Sequence, residues 1–179
     1  DVQATYYVDD YLLFPGFPHH SSHLMPNVAN TWKPFFQRTL QALRGESPQN
    51  AARWMGSLLH FIQDSGSPPH AFPQTGGIHT RMENFIYNFD IRLPDYQPRE
   101  LGRTDESALD GLTQRLEGLV AYSRERGEKL VTLAATNNRP ASEPLTLECA
   151  QETMRVVADT AHTLLRLTES GPREGTASL

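Results

Sequence analysis

Residues 58–85 read LLHFIQDSGSPPHAFPQTGGIHTRMENF. Leu58, Leu59 and Ile62, with Trp54 a turn earlier, recur at helical spacing, and Ser47 followed by Pro48 resembles an N-cap with proline at the first helical position. The spacing predicts a helix from there to about Asp64. Gly66, Pro68, Pro69, Pro73, Gly76 and Gly77 then break the chain into a loop, and a second helix is expected near His79, turning Met82, Phe85 and Ile86 inward. His60 and Asp64 lie four apart, so on a helix both leave one face a turn apart. His79 and Glu83 repeat that spacing, and His70 lies in the loop between the pairs. One such pair is commonplace, a surface contact worth roughly 0.2–0.5 kcal/mol. Two pairs flanking a third histidine in an otherwise apolar segment point to a metal, because zinc takes imidazole nitrogen and carboxylate oxygen.

Working outward, Trp32, Phe35, Phe36, Leu40 and Leu43 mark an amphipathic helix from about Asn30 to Arg44. Ahead of it, a short helix around Tyr6 to Leu13 is expected, then a loop through Pro26. Beyond a polar, proline-containing connector from about Leu93 to Thr104, Leu109, Leu112, Leu116, Leu119 and Val120 give a long helix, which Asn137, Asn138, Pro140 and Pro144 are expected to end. A last helix carries Cys149, Met154, Val157, Ala161, Leu164 and Leu165, followed by a tail broken by Gly171, Pro172 and Gly175. Trp32 and Trp54 read as core residues, and His162 as structural. The charged residues between Arg99 and Lys129 read as a solvated face. No alternating strand pattern of useful length appears, so the expected class is all-α, a single-domain helical bundle over residues 1–179.

A chain of 179 residues can bury a core without metal or disulfide staples, so a metal here serves chemistry first. The lone Cys149 excludes an internal disulfide and reads as a small buried residue on a helix. No apolar run approaches the roughly 20 residues that span a bilayer. The formal charge of −5 lacks the basic surplus of a non-specific nucleic-acid binder, although bound zinc reverses the local sign where a phosphate must sit. The chain opens on Asp1 with no basic and apolar leader, as a processed product or a trimmed piece does, and a secreted or periplasmic location is expected.

With His60, Asp64 and His70 in LLHFIQDSGSPPHA and His79 and Glu83 in HTRMENF, the chain resembles the superfamily of zinc-dependent phospholipases C and fungal single-strand-specific nucleases. The fixed intervals of the family pattern agree. An acid set as in Met82-Glu83-Asn84-Phe85 is similar to the phospholipase branch, whereas nucleases carry an Asp after a Trp. Val8-Asp9-Asp10-Tyr11 and Ser22-His23-Leu24 look like the family's segments bearing two further ligands of the first zinc. The resemblance thus implies Asp10 and His23 as ligands, with Asp9 the rival carboxylate and His19 and His20 weaker candidates. It gives Asp10 the added role of general base and Tyr11 that of holding a choline head group by cation–π attraction, a wall or core tyrosine being the plainer reading.

What the resemblance implies in function is hydrolysis of glycerophospholipids by in-line attack of activated water on phosphorus, releasing diacylglycerol and a phosphorylated head group. Phospholipid would be the partner, met in transient contact with a membrane surface. Family members bind a third zinc through an amino-terminal Trp and a His on a preceding helix; the nine residues ahead of Asp10 hold no counterpart, so two or three Zn2+ ions are expected. Two other readings stay open: a zinc nuclease cutting single strands at the same site, and a helical module that binds metal without catalysis.

Overall fold

The computed structural model describes residues 23–85 and 90–169. The expected first helix, Ile86 and the tail beyond 169 lie outside them. Among the described residues there are six helices and no strand: α1 (Ala29–Gly45), α2 (Pro48–Gly66), α3 (Pro68–Ala71), α4 (Gly76–Asn84), α5 (Asp105–Ala135) and α6 (Arg139–Glu169). The all-α class follows.

Local chemistry sets the boundaries. Ser47 caps α2 by accepting from Asn50 N at 3.3 Å, and Pro48 takes a position whose N–H has no helical partner. Thr104 and Ser107 form a reciprocal cap on α5, whose first turn also carries Asp105 and Glu106 at the positive end of the helix dipole. At its far end α5 stops where Asn137 takes φ 54°, a left-handed conformation that asparagine tolerates better than most residues. The prolines after it do not end anything: α6 begins at Arg139 and runs through Pro140 and Pro144. Pro140 falls in the first turn, where no N–H is missed, and Pro144 is exposed, so the Pro140 carbonyl it leaves unpaired is open to water. Likewise the expected loop between Gly66 and His79 contains α3, and α4 starts three residues before His79.

The main core joins Trp32, Phe35 and Phe36 of α1, Trp54, Leu58, Phe61 and Ile62 of α2, Leu112, Leu116 and Leu119 of α5, and Val156, Leu164 and Leu167 of α6. Both tryptophans are buried, and Trp32 donates its indole N–H to Ser65 Oγ at 3.0 Å. Leu165, expected inward, is exposed, because the α6 face that meets α5 and the connector is partly polar: Thr153, Asp159, Thr160 and Thr163 are buried there. Asp159 accepts from Tyr96 Oη and Arg99 N, both at 2.7 Å, and from Arg115 Nε at 3.3 Å. Arg115 therefore does not belong to a solvated face. It and its neighbours strap the connector to the bundle.

A second cluster, Met82 and Phe85 with Leu130 and Ala134, docks α4 on the carboxyl-terminal half of α5, where Arg81 Nη1 also donates at 2.7 Å to the Ala134 carbonyl, which accepts from Asn137 N as well. Two glycines let neighbouring helices come close. A Cβ on Gly127 of α5 would lie 2.7 Å from the Pro68 carbonyl oxygen and 2.8 Å from Phe72 Cβ, and one on Gly66 would lie 2.0 Å from Thr153 Oγ1. No helix among the described residues is long and apolar enough to cross a membrane.

Candidate metal centre

Two groups of side chains that could hold a metal ion face each other where the end of α2 meets α3 and α4: His23, His60 and Asp64, and His70, His79 and Glu83. Helical periodicity makes the pairs. His60 and Asp64 leave one face of α2, with His60 Nε2 3.3 Å from Asp64 Oδ2; His79 and Glu83 leave one face of α4, with His79 Nε2 3.1 Å from Glu83 Oε1. Tertiary structure completes each pair. His23 enters from the segment before α1, its Nδ1 2.5 Å from Asp64 Oδ2 and 3.3 Å from His60 Nε2. His70, on α3, puts Nε2 3.2 Å from Glu83 Oε1.

In His70 and His79 the other ring nitrogen is spoken for. His70 Nδ1 donates to the His23 carbonyl at 2.9 Å, and His79 Nδ1 donates to the Gln74 carbonyl at 3.0 Å. A carbonyl can only accept, so each Nδ1 carries the proton, and in the neutral ring Nε2 is left as a lone pair aimed at Glu83. The first bond also links the two groups. Met25 N returns a hydrogen bond to the His70 carbonyl at 3.1 Å, and Asp64 Oδ1 lies 3.5 Å from the proton-bearing Nδ1 of His70.

The donor set fits zinc. With zinc–nitrogen distances of about 2.0–2.1 Å, neighbouring ligands of a tetrahedral ion stand about 3.3 Å apart. The separations of 3.1, 3.2 and 3.3 Å in the two groups match that edge, while His23 and Asp64 stand closer, at hydrogen-bond distance. Three protein donors per group also leave the fourth position of a tetrahedral ion open. Burial pushes the His60 pKa below its ordinary value against the pull of Asp64, with His23 and His70 adding to the lowering, a shift toward the neutral form that binds metal. His60 and Glu83 remain half-exposed, with side chains 41% and 46% accessible, so both groups are open to solvent.

Of the residues proposed from sequence, His23, His60, Asp64, His70, His79 and Glu83 are brought together here. Asp10, with its rival Asp9, and Tyr11, His19 and His20 lie outside the described residues. Gln74, which fixes the His79 tautomer through its backbone, gave no signal in the sequence. Gly127, which makes room for α3, did leave one: a glycine inside a long helix costs stability and usually marks a close approach. Compared with models of known protein families, with curated proteins and with solved structures, the chain finds no match.

Proposed function

We propose that this chain is a zinc-dependent phosphodiester hydrolase, most like a phospholipase C that cleaves glycerophospholipids to diacylglycerol and a phosphorylated head group. The observation that carries the reading is the convergence of two His and carboxylate groups, linked through the His70–His23 hydrogen bond, with His70 and His79 locked by backbone carbonyls in the tautomer a metal needs. Zinc held there would act as a Lewis acid toward the phosphoryl oxygens and make a water nucleophilic near neutral pH. His23, His60 and Asp64 would hold one ion and His70, His79 and Glu83 another.

The chain's own part in the reaction is positioning and charge. Asp64 and Glu83 would hold the ions, and the half-exposed edge at His60 and Glu83 would admit the diester. By resemblance, Asp10 adds a ligand and accepts the proton of the attacking water. The overall change adds water across one P–O bond: oxygen joins phosphorus, and the proton ends on the glycerol oxygen. No side-chain nucleophile takes part. A secreted or periplasmic protein in transient contact with a membrane surface accords with this reading.

The test is elemental analysis of purified protein together with hydrolysis of short-chain phosphatidylcholine and of single-stranded DNA, before and after chelation. Two or three zinc ions per chain with chelator-sensitive release of diacylglycerol is the expected result. Cleavage of DNA alone would move the protein to the nuclease reading. Stoichiometric zinc with no turnover of either substrate would make it a metal-binding module.

A further inference from the structure

The two groups are held by different means. In the second, each histidine is fixed at Nδ1 by a backbone carbonyl, His70 by that of His23 and His79 by that of Gln74. In the first, His23 Nδ1 and His60 Nε2 face Asp64 and each other, and among the described residues no hydrogen bond reaches the second ring nitrogen of either. What meets both rings is Phe61. Its ring stands 5.4 Å from that of His23, tilted at 38°, and 5.6 Å from that of His60, edge to face at 81°. The two imidazoles also meet edge to face, 5.1 Å apart at 84°, so the three rings close into one cluster. Phe61 is itself anchored, being 1% exposed and 4.7 Å from the ring of Phe35 in the main core.

We propose that Phe61 is the positioning residue of the first group, setting the planes of His23 and His60 so that Nδ1 of one and Nε2 of the other meet at Asp64. The inference rests on the metal-centre reading above and adds to it a residue that supplies no ligand. The χ2 torsion of histidine is broad, so an unrestrained imidazole swings through a wide range of planes and carries its lone pair with it. At His70 and His79 a hydrogen bond at the second nitrogen narrows that range. At His23 and His60 contact with a buried ring does so instead, at centroid separations within the roughly 4.5–7 Å that aromatic pairs favour. Packing alone leaves each ring free to turn over in its own plane. Asp64 settles which way it lies, because a carboxylate accepts from an N–H and gains little from a C–H. The plane comes from Phe61 and the facing nitrogen from Asp64.

Zinc affinity, measured by competition with a chromophoric chelator, separates the groups in two backgrounds: His79→Ala leaves the first intact and His60→Ala the second. Phe61→Leu is expected to weaken zinc about 10–100-fold in the first background and by less than about threefold in the second. Cobalt in place of zinc gives a visible spectrum that reads ligand geometry, and Phe61→Leu should shift its bands in the first background only. Phe36→Leu makes the same change at another core ring, also 1% exposed, and should move neither affinity nor spectrum. If Phe61→Leu does not fold, Phe61→Met, which fills more of the space, takes its place. Unchanged affinity in the first background, or an equal loss in both, makes Phe61 a core residue only and overturns the inference. Zinc at both groups of the native chain without diester hydrolysis sinks the phosphodiesterase reading and leaves a selective effect of Phe61 standing. A native chain that takes up no zinc overturns both.

Discussion

A histidine gives a metal one ring nitrogen, and the bond made by the other nitrogen decides which. At His79 that bond is to the Gln74 carbonyl, so removing the ring removes a ligand already oriented toward Glu83. His79→Ala is expected to lower bound zinc by one ion per chain and weaken the remaining affinity of that group by more than about 100-fold, read by competition with a chromophoric chelator. Full zinc content in the variant would place the ion elsewhere. The pairs at 60/64 and 79/83 could be read from spacing because an i, i+4 relation is local. His70 could be read as the histidine flanked by the pairs and His23 only by resemblance; which pair each one completes could not, because that is set by a contact between the segment before α1 and α3, which no periodicity encodes. Cys149 offers a second residue-level prediction. Burial pushes its thiol up to about 11 from 9.0, so the folded chain binds that proton more tightly than the unfolded one. The resulting stability is whole below pH 9 and is lost as pH rises toward 11. The stability gap between the native chain and Cys149→Ala in urea should therefore shrink by about 2 kcal/mol between pH 8 and pH 11. An unchanged gap would mean the thiol is not desolvated.

Among the elements, the four-residue α3 has too few backbone bonds to hold itself and is positioned by what it lies against. Its Pro68 carbonyl lies where a side chain on residue 127 would be, so Gly127→Ala must push α3 off α5. A cost of about 1–3 kcal/mol is expected, with zinc affinity falling at the group containing His70, because the displacement acts on its anchor. Loss of stability with unaltered zinc affinity would show that α3 can shift as a rigid piece. The connector depends on Asp159 in the same way. Asp159→Ala would leave the Tyr96 hydroxyl and Arg99 N–H without their acceptor and loosen Arg115, which Glu152 still holds, at a cost of about 3 kcal/mol in urea unfolding. These elements also mark where sequence reading reached its limit. Runs such as Leu112, Leu116 and Leu119 announce their helix because the buried face repeats every turn. The buried face of α6 does not, since threonines and an aspartate replace leucines where the connector needs hydrogen-bond partners, and Pro140 and Pro144 look like stops until the exposure of Pro144 is known.

At the scale of the whole molecule, core and metal groups occupy different places. The side chains that join α1, α2, α5 and α6 are mostly apolar and meet the metal groups only at the edge where Phe61 packs on His23 and His60, whereas the metal groups sit among the ends of α2, α3 and α4 and the segment before α1. Zinc should therefore not be needed for the bundle to form, but it should stabilise it, because an ion bound only by the folded chain adds the free energy of its own binding. At a free zinc concentration 100 times the dissociation constant that term is about 2.7 kcal/mol, and for a chain of this length it corresponds to about 5–11 °C in Tm. Chelated protein is expected to keep nearly all its helical circular dichroism, to melt in one transition, and to recover the higher Tm when zinc is restored. Collapse of helicity on chelation would instead mean that the metal holds the bundle together, in the manner of a small zinc domain, and that the groups at His60 and His79 serve the fold before they serve chemistry.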